Sequence, residues 1–303
     1  MRDINLLCAA WNDAWESLTT QGDTTGVAES SSSASHRLEM FQRRVWALVD
    51  APLTNRHSED IEHSRKHILD IIKRVPPSHT PLSHGEFRLL RLEPGAGDEP
   101  IKCSLTNVSV EAIAGNYNAI SYCWGPPTQP QKIIFLDGRP IVVSDTLLDL
   151  LSHFNRLTPE VYWLDALCIR QDDLEEKNTQ IPLMRRIYSD ARLVDIWLGP
   201  DKEDSGYVLE QIYRGFENWK SDSRCLIGLR NLLLRPWFQR LWVVQELVLA
   251  RPEAPVLRSG FASCKWGSFA AFMKVREAPK HPDIEPEDVK RARVSLATDL
   301  LCD

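Results

Sequence analysis

The chain has 303 residues, 43% hydrophobic and 26% charged, a composition that suits one large folded domain or two modest ones and excludes collagen-like, disordered and disulfide-scaffold classes. A net charge of -6 and a pI near 5.8, without a Lys/Arg block or a basic helix face, argue against nucleic acid or an anionic membrane as the main partner. Seven cysteines, without CxxC spacing, read as reduced packing residues, with Cys123 and Cys168 placed inside apolar strands. No signal-peptide pattern opens the sequence and no run of about eighteen apolar residues follows, so a cytoplasmic protein without a membrane span is expected.

In chain order, Ile4, Leu7, Trp11, Trp15 and Leu18 form one apolar stripe at helical spacing, and a small, polar, serine-rich loop follows. His36 to Val49 and Ser58 to Val75 repeat the helical period until Pro76-Pro77 stops it, so residues 1–82 read as a helical extension. His63 and His67 lie one turn apart, a spacing zinc can use, but no third ligand accompanies them; they read as a solvated helix face and no metal is assigned.

From residue 83 the texture changes to strands, and 83–303 reads as one α/β domain. Phe87 to Leu92, Pro100 to Leu105 and Tyr117 to Cys123 are β-like runs. Lys132 to Leu136 and Arg139 to Val143 flank Asp137-Gly138, the pair a type I′ hairpin prefers because both central residues take positive φ. Ser144 then caps a helix with Leu147, Leu148, Leu151 and Phe154 facing inward.

The organising stretch is Tyr162 to Gln171, an apolar strand-like run interrupted by Asp165 and opening into the polar turn Arg170 to Asp173. In an open α/β sheet the carboxyl end of such a strand delivers polar side chains into a crevice. Leu174, Ile181, Met184, Ile187, Tyr188 and Ala191 mark a helix, with Pro182 predicting either a kink or a start near Thr179, and Leu193 to Leu198 marks another buried strand. Tyr207 to Trp219 and Leu226 to Leu234 read as helices. Trp237 to Ala250 reads as one apolar helix whose Glu246 must be explained, either by an ion pair with Arg235, Arg240 or a more distant arginine, or by a ligand. No GxGxxG or Walker loop occurs, and a Cys168–His153 protease would rest on residue types alone.

The blocks YNAISYCWG (Tyr117 to Gly125), YWLDALCIRQDD (Tyr162 to Asp173), EKNTQ with LMRRIYSDARLVDIWLG (Glu176 to Gly199) and RPWFQRLWVVQE (Arg235 to Glu246) resemble the fungal HET, or heterokaryon incompatibility, domain. FRLLRLEPG at Phe87 fits the lead-in, and the resemblance covers roughly 85 to 270. It implies a fungal protein of nonself recognition whose domain triggers regulated cell death. Arg170 departs from the pattern, standing where the family mostly has asparagine. The chain ends about where HET proteins continue into a variable region, which implies a short or truncated member.

HET domains in turn resemble the TIR domain more remotely, which implies a TIR/flavodoxin-like parallel sheet core flanked by helices, here with added antiparallel strands and a hairpin. Some TIR domains hydrolyse NAD at the nicotinamide–ribose bond with a helix glutamate. Carried over, Glu246 is the catalytic candidate, and Ser121, Trp124, Gly125, Asp165, Arg170 and Trp242 are the candidates for binding NAD, a substrate rather than a resident cofactor. Glu176 reads as a helix-surface residue held in reserve. The resemblance also implies self-association or a recognition partner; the other reading is a non-catalytic oligomerising module in which the same blocks serve packing.

Overall fold

The computed structural model describes residues 79–274 except 96–98, 128–130, 156–159, 216–220 and 241, with the backbone alone at 242–245 and 274, and scattered positions between 40 and 73. Those scattered positions are all helical, as the periodicity predicts; the first predicted helix, His63, His67 and the last residues lie outside the description. No helix among the described residues is long and apolar enough to cross a membrane.

Nine strands among the described residues form one mixed sheet: β1 Glu86–Leu92, β2 Lys102–Ser109, β3 Asn118–Tyr122, β4 Gln131–Leu136, β5 Arg139–Ser144, β6 Val161–Trp163, β7 Leu193–Trp197, β8 Pro255–Ser259 and β9 Ala262–Lys265. Their order is β5-β4-β2-β1-β6-β3-β7-β8-β9. The four neighbours β6, β3, β7 and β8 run parallel and form the heart of the fold. On one flank β1 joins β6 antiparallel, and on the other β9 closes against β8. The class is therefore α/β, with a parallel centre and margins that are antiparallel except where β2 pairs with β4. β3 is buried along its whole length, which is why its sequence NAISY carries no exposed polar alternation.

The hairpin β4–β5 turns on Asp137 and Gly138, both at positive φ. The Asp137 carboxylate also accepts the Leu105 N–H at 3.1 Å, which fastens the turn to β2. Helix α1, Asp145–Phe154, starts at the Ser144 cap, whose Oγ accepts from Leu147 N at 3.2 Å; Leu150 rather than Leu148 completes its buried face. The N-terminal extension packs on the hairpin: Val45, Leu69 and Ile72 bury against Ile133, and Gln42 donates to the Gly138 carbonyl at 3.2 Å.

Two expectations fail in instructive ways, and the alternative helix start near Thr179 is not taken. The apolar run from Tyr162 to Ile169 is not one strand. β6 ends at Trp163, and Asp165–Cys168 winds into a short helix, α2, so Cys168 lies in a helix and Cys123 just beyond β3. Helix α3, Leu174–Asp190, runs through Pro182 from an Asp173 cap, whose side chain accepts the Glu176 N–H at 3.0 Å. It exposes Leu174 and Ile181 and buries Ile187 and Tyr188. Helices α4, Ser205–Tyr213, and α5, Ser223–Leu233, follow. The predicted helix from Trp237 to Ala250 is two pieces: a 3-10 turn, Pro236–Gln239, a break at Arg240, and α6, Trp242–Leu249. Helix α7, Trp266–Lys274, packs its Trp266 and Phe269 on Trp237 and Phe238.

A buried clamp locks the turn after β6. Arg88 on β1 is fully inaccessible, and its guanidinium holds Glu176 at both oxygens, at 2.6 and 2.8 Å. It also donates to the carbonyls of Cys168 at 3.1 Å and Thr80 at 2.7 Å. Glu176 further accepts the Arg170 N–H at 2.7 Å. Burial alone pushes the Glu176 carboxyl up, but the arginine and the amide more than offset this and hold it below its ordinary range. Glu176 is thus no helix-surface residue but the anchor that fixes α3 and the 165–173 turn to the sheet.

Candidate functional site

The carboxyl ends of β3 and β6 open into a cleft of about 610 Å³, the crevice position expected of an open α/β sheet. Its lining includes Trp124 and Gly125 from the loop after β3, Asp165 from α2, Met184 from α3, and Arg240 with Glu246 from the break and the helix that follow the 3-10 turn.

Glu246 is 6% exposed, and no described residue forms an ion pair with it. Its carboxylate instead accepts a short hydrogen bond from the Ser121 hydroxyl. The indole Nε1 of Trp237 donates to Ser121 Oγ at 2.8 Å, which leaves the hydroxyl proton available to Glu246. An ionised carboxylate can only accept, so in that state the Ser121 proton points to Glu246. Burial pushes the Glu246 carboxyl up, Ser121 and the nearby Arg240 draw it back, and Asp165 raises it again. Serine on a central strand, tryptophan on the 3-10 turn and glutamate on α6 thus form one chain that orients a single carboxylate.

Asp165 faces the same cleft. Both its oxygens accept the Trp124 indole N–H at 3.1 Å, and Oδ1 accepts the Ala166 amide at 2.7 Å. Burial again raises this carboxyl, with Trp124, Ala166 and Arg240 opposing. Trp124 is 43% exposed although its indole N–H is engaged. Gly125 takes φ +78°, which bends the loop away at a position where a side chain is disfavoured.

Arg240 is the cation of the cleft. One guanidinium N–H is tied to the Tyr122 carbonyl by a short bond. The break that interrupts the expected long helix is what brings Arg240 here, and sequence reasoning considered it only as a neutralising partner. The signal was available in Arg235-Pro236, since a proline-led 3-10 turn need not continue into a helix. Arg235 itself serves elsewhere, donating to the carbonyls of Leu198 and Pro200 at 2.6 and 3.1 Å and to Ser205 Oγ at 2.8 Å.

Of the predicted residues, Glu246, Ser121, Trp124, Gly125 and Asp165 converge. Arg170 does not line the cleft: its guanidinium turns to Asp172 at 3.2 Å and Asp173 at 3.8 Å, so the two acids that follow it in sequence consume its charge. The Trp242 side chain lies outside the described residues. Cys168 is fully buried with its thiol pushed up to about 12 by burial, and His153 packs its ring on Trp197 at 4.5 Å and on Phe261 at 5.0 Å, which removes the Cys–His arrangement. Among the described residues no group of three or more His, Cys, Asp or Glu is placed to hold a metal.

Two outcomes follow. Ser121→Ala leaves the Trp237 N–H and one Glu246 oxygen without their buried partner, and is expected to cost about 1–3 kcal/mol in urea unfolding. Trp124→Phe keeps an aromatic ring and loses the indole bond to Asp165; it is expected to change stability by less than about 1 kcal/mol in the same measurement.

The architecture and the cleft define an α/β protein with a paired-carboxylate, arginine-containing pocket at its strand ends. Residues 117–246 match the family model described as heterokaryon incompatibility protein (HET). The chain is 30% identical over 216 residues to "Heterokaryon incompatibility protein 6, OR allele" of Neurospora crassa, an alignment that covers 54% of this chain and 32% of that relative. The chain therefore spans about a third of the length of the curated relative it matches. Over these residues the chain is similar to HET proteins. No solved structure matches.

Proposed function

We propose that the protein is an effector of fungal nonself recognition and cell death whose TIR-like cleft hydrolyses NAD at the nicotinamide–ribose bond. The HET match and the heterokaryon incompatibility relative support the biological role. The observation that carries the chemistry is that Glu246 shares an open cleft with Asp165, Trp124 and Arg240 instead of being spent in an ion pair.

In the reaction the C1′–N bond breaks and its electron pair leaves with the pyridinium nitrogen, so nicotinamide departs neutral and needs no general acid. The ribosyl carbon passes through an oxocarbenium-like state, which a carboxylate held by Ser121 is placed to stabilise. Water then bonds to C1′ and releases a proton, giving ADP-ribose, nicotinamide and H⁺. Arg240 supplies the positive charge for the phosphates, a task assigned to Arg170 from sequence, and the exposed Trp124 offers a stacking surface for a ring.

The test is NAD consumption by concentrated purified protein, wild type beside Glu246→Gln. Turnover in the wild type that is lost in the folded variant is the expected result. A wild type that binds no NAD and consumes none, at concentrations where it self-associates, would sink the enzymatic reading in favour of an interaction module.

A further inference from the structure

Glu246 borders a second cavity. Against α3 and α6, a space of about 290 Å³ is lined by Ile181, Pro182, Met184, Arg185, Tyr188 and Leu249 together with Glu246. Ile181, Met184 and Glu246 line both spaces, so the carboxylate stands at the partition between them. The two differ in kind. The larger holds Arg240 and Asp165 and falls within the range of about 300–1,000 Å³ typical of ligand pockets; the smaller lies at its lower edge, with room for a single-ring fragment. Apart from Arg185 and the shared Glu246, the smaller wall is made of aliphatic side chains, a thioether and the ring of Tyr188, which suit a flat, weakly polar heterocycle. Tyr188 is itself buried, held edge-on by Trp163 at 5.4 Å, so this wall is preformed.

We infer that Glu246 divides the site, with the α3–α6 cavity receiving the leaving heteroaromatic ring and the Arg240 cleft holding the phosphate-bearing half. This rests on the dinucleotide reading above and extends it. A bond lying across the partition passes beside Glu246, while the ring and the diphosphate are held by different walls. The two halves of the substrate are then recognised by separable sets of residues.

The experiment is calorimetric titration of the purified protein with nicotinamide and with ADP-ribose separately, for the wild type, Leu249→Trp and Arg240→Gln, with folding checked by circular dichroism. Leu249→Trp fills the smaller cavity and is expected to weaken nicotinamide by at least about tenfold while shifting ADP-ribose by less than about twofold. Arg240→Gln is expected to do the reverse. Should Leu249→Trp fail to fold, Leu249→Phe takes its place with the same pattern expected. Wild-type binding of both ligands, with either variant affecting both alike or neither, overturns the division and leaves the NAD reading standing. Wild-type protein that binds neither ligand and does not consume NAD overturns the reading and the division together.

Discussion

Glu246→Gln is expected to abolish NAD turnover while leaving the protein at least as stable as the wild type at pH 7.5. The activity loss is about 10²–10³-fold, the scale on which a preorganised electrostatic group acts in a transition state. Stability moves the other way because of what surrounds the carboxylate. Burial and Asp165 raise its pKa more than Ser121 and Arg240 lower it, so the folded state holds the proton more tightly than the unfolded chain does. A group of this sign contributes stability below its unfolded value, about 4.3, and that contribution is lost as pH rises through the raised folded value. Glutamine removes the ionisation but retains an oxygen to accept the Ser121 proton. Thermal melts should place the variant level with or above the wild type at neutral pH, with the gap closing as pH falls below about 4. A variant that melts several degrees lower would show that the carboxylate is structural and would undercut the site.

Glu176→Ala should produce the largest loss of stability, about 3–5 kcal/mol, because it strands the fully buried Arg88 guanidinium. For a domain of this size that corresponds to a fall of roughly 10 °C in melting temperature. Replacing both partners, Arg88→Met with Glu176→Leu, should cost less than Glu176→Ala, since no buried charge is left over; a double-mutant cycle in urea measures the coupling. The pH dependence is opposite to that of Glu246. The Glu176 carboxyl is held down in the fold, so its contribution is complete above the unfolded value and is lost as pH falls through the lower folded one. If the pair cost nothing to break, the rigidity ascribed to the 165–173 turn would have no basis.

Much of this arrangement could be read from residues alone, where local chemistry and fold agree. Asp137-Gly138 set the hairpin and Ser144 the helix start, and the apolar runs at Asn118 and Leu193 are buried strands because parallel strands need apolar residues on both faces. What was not legible came from tertiary context. Tyr162 to Ile169 is apolar because a three-residue strand and a one-turn helix are both buried, and a short apolar run carries no period that separates them. Leu174 and Ile181 helped to mark the helix through its apolar period, yet both are exposed, and the buried part of that stripe bears Ile187 and Tyr188. In the candidate site, Glu246 stood out because it is a lone acid in an apolar segment. Arg170 and Arg240 were indistinguishable as cations until the fold showed which one had carboxylates of its own.

The order of strands in the sheet bears on where an autonomous unit begins and ends. The segment matched by the family model, 117–246, contains β3 to β7 but neither β1, which pairs with β6, nor β8, which pairs with β7. It also omits β2, the strand through which the β4–β5 hairpin reaches the sheet. Excised at those limits, the segment would carry two raw backbone edges, a hairpin with nothing to lie against, and a Glu176 stripped of its guanidinium. Exposed edges of this kind recruit other chains. The recognisable motif therefore ends inside the sheet, short of β1 and β2 on one side and of β8, β9 and the α7 rings that pack on Trp237 and Phe238 on the other.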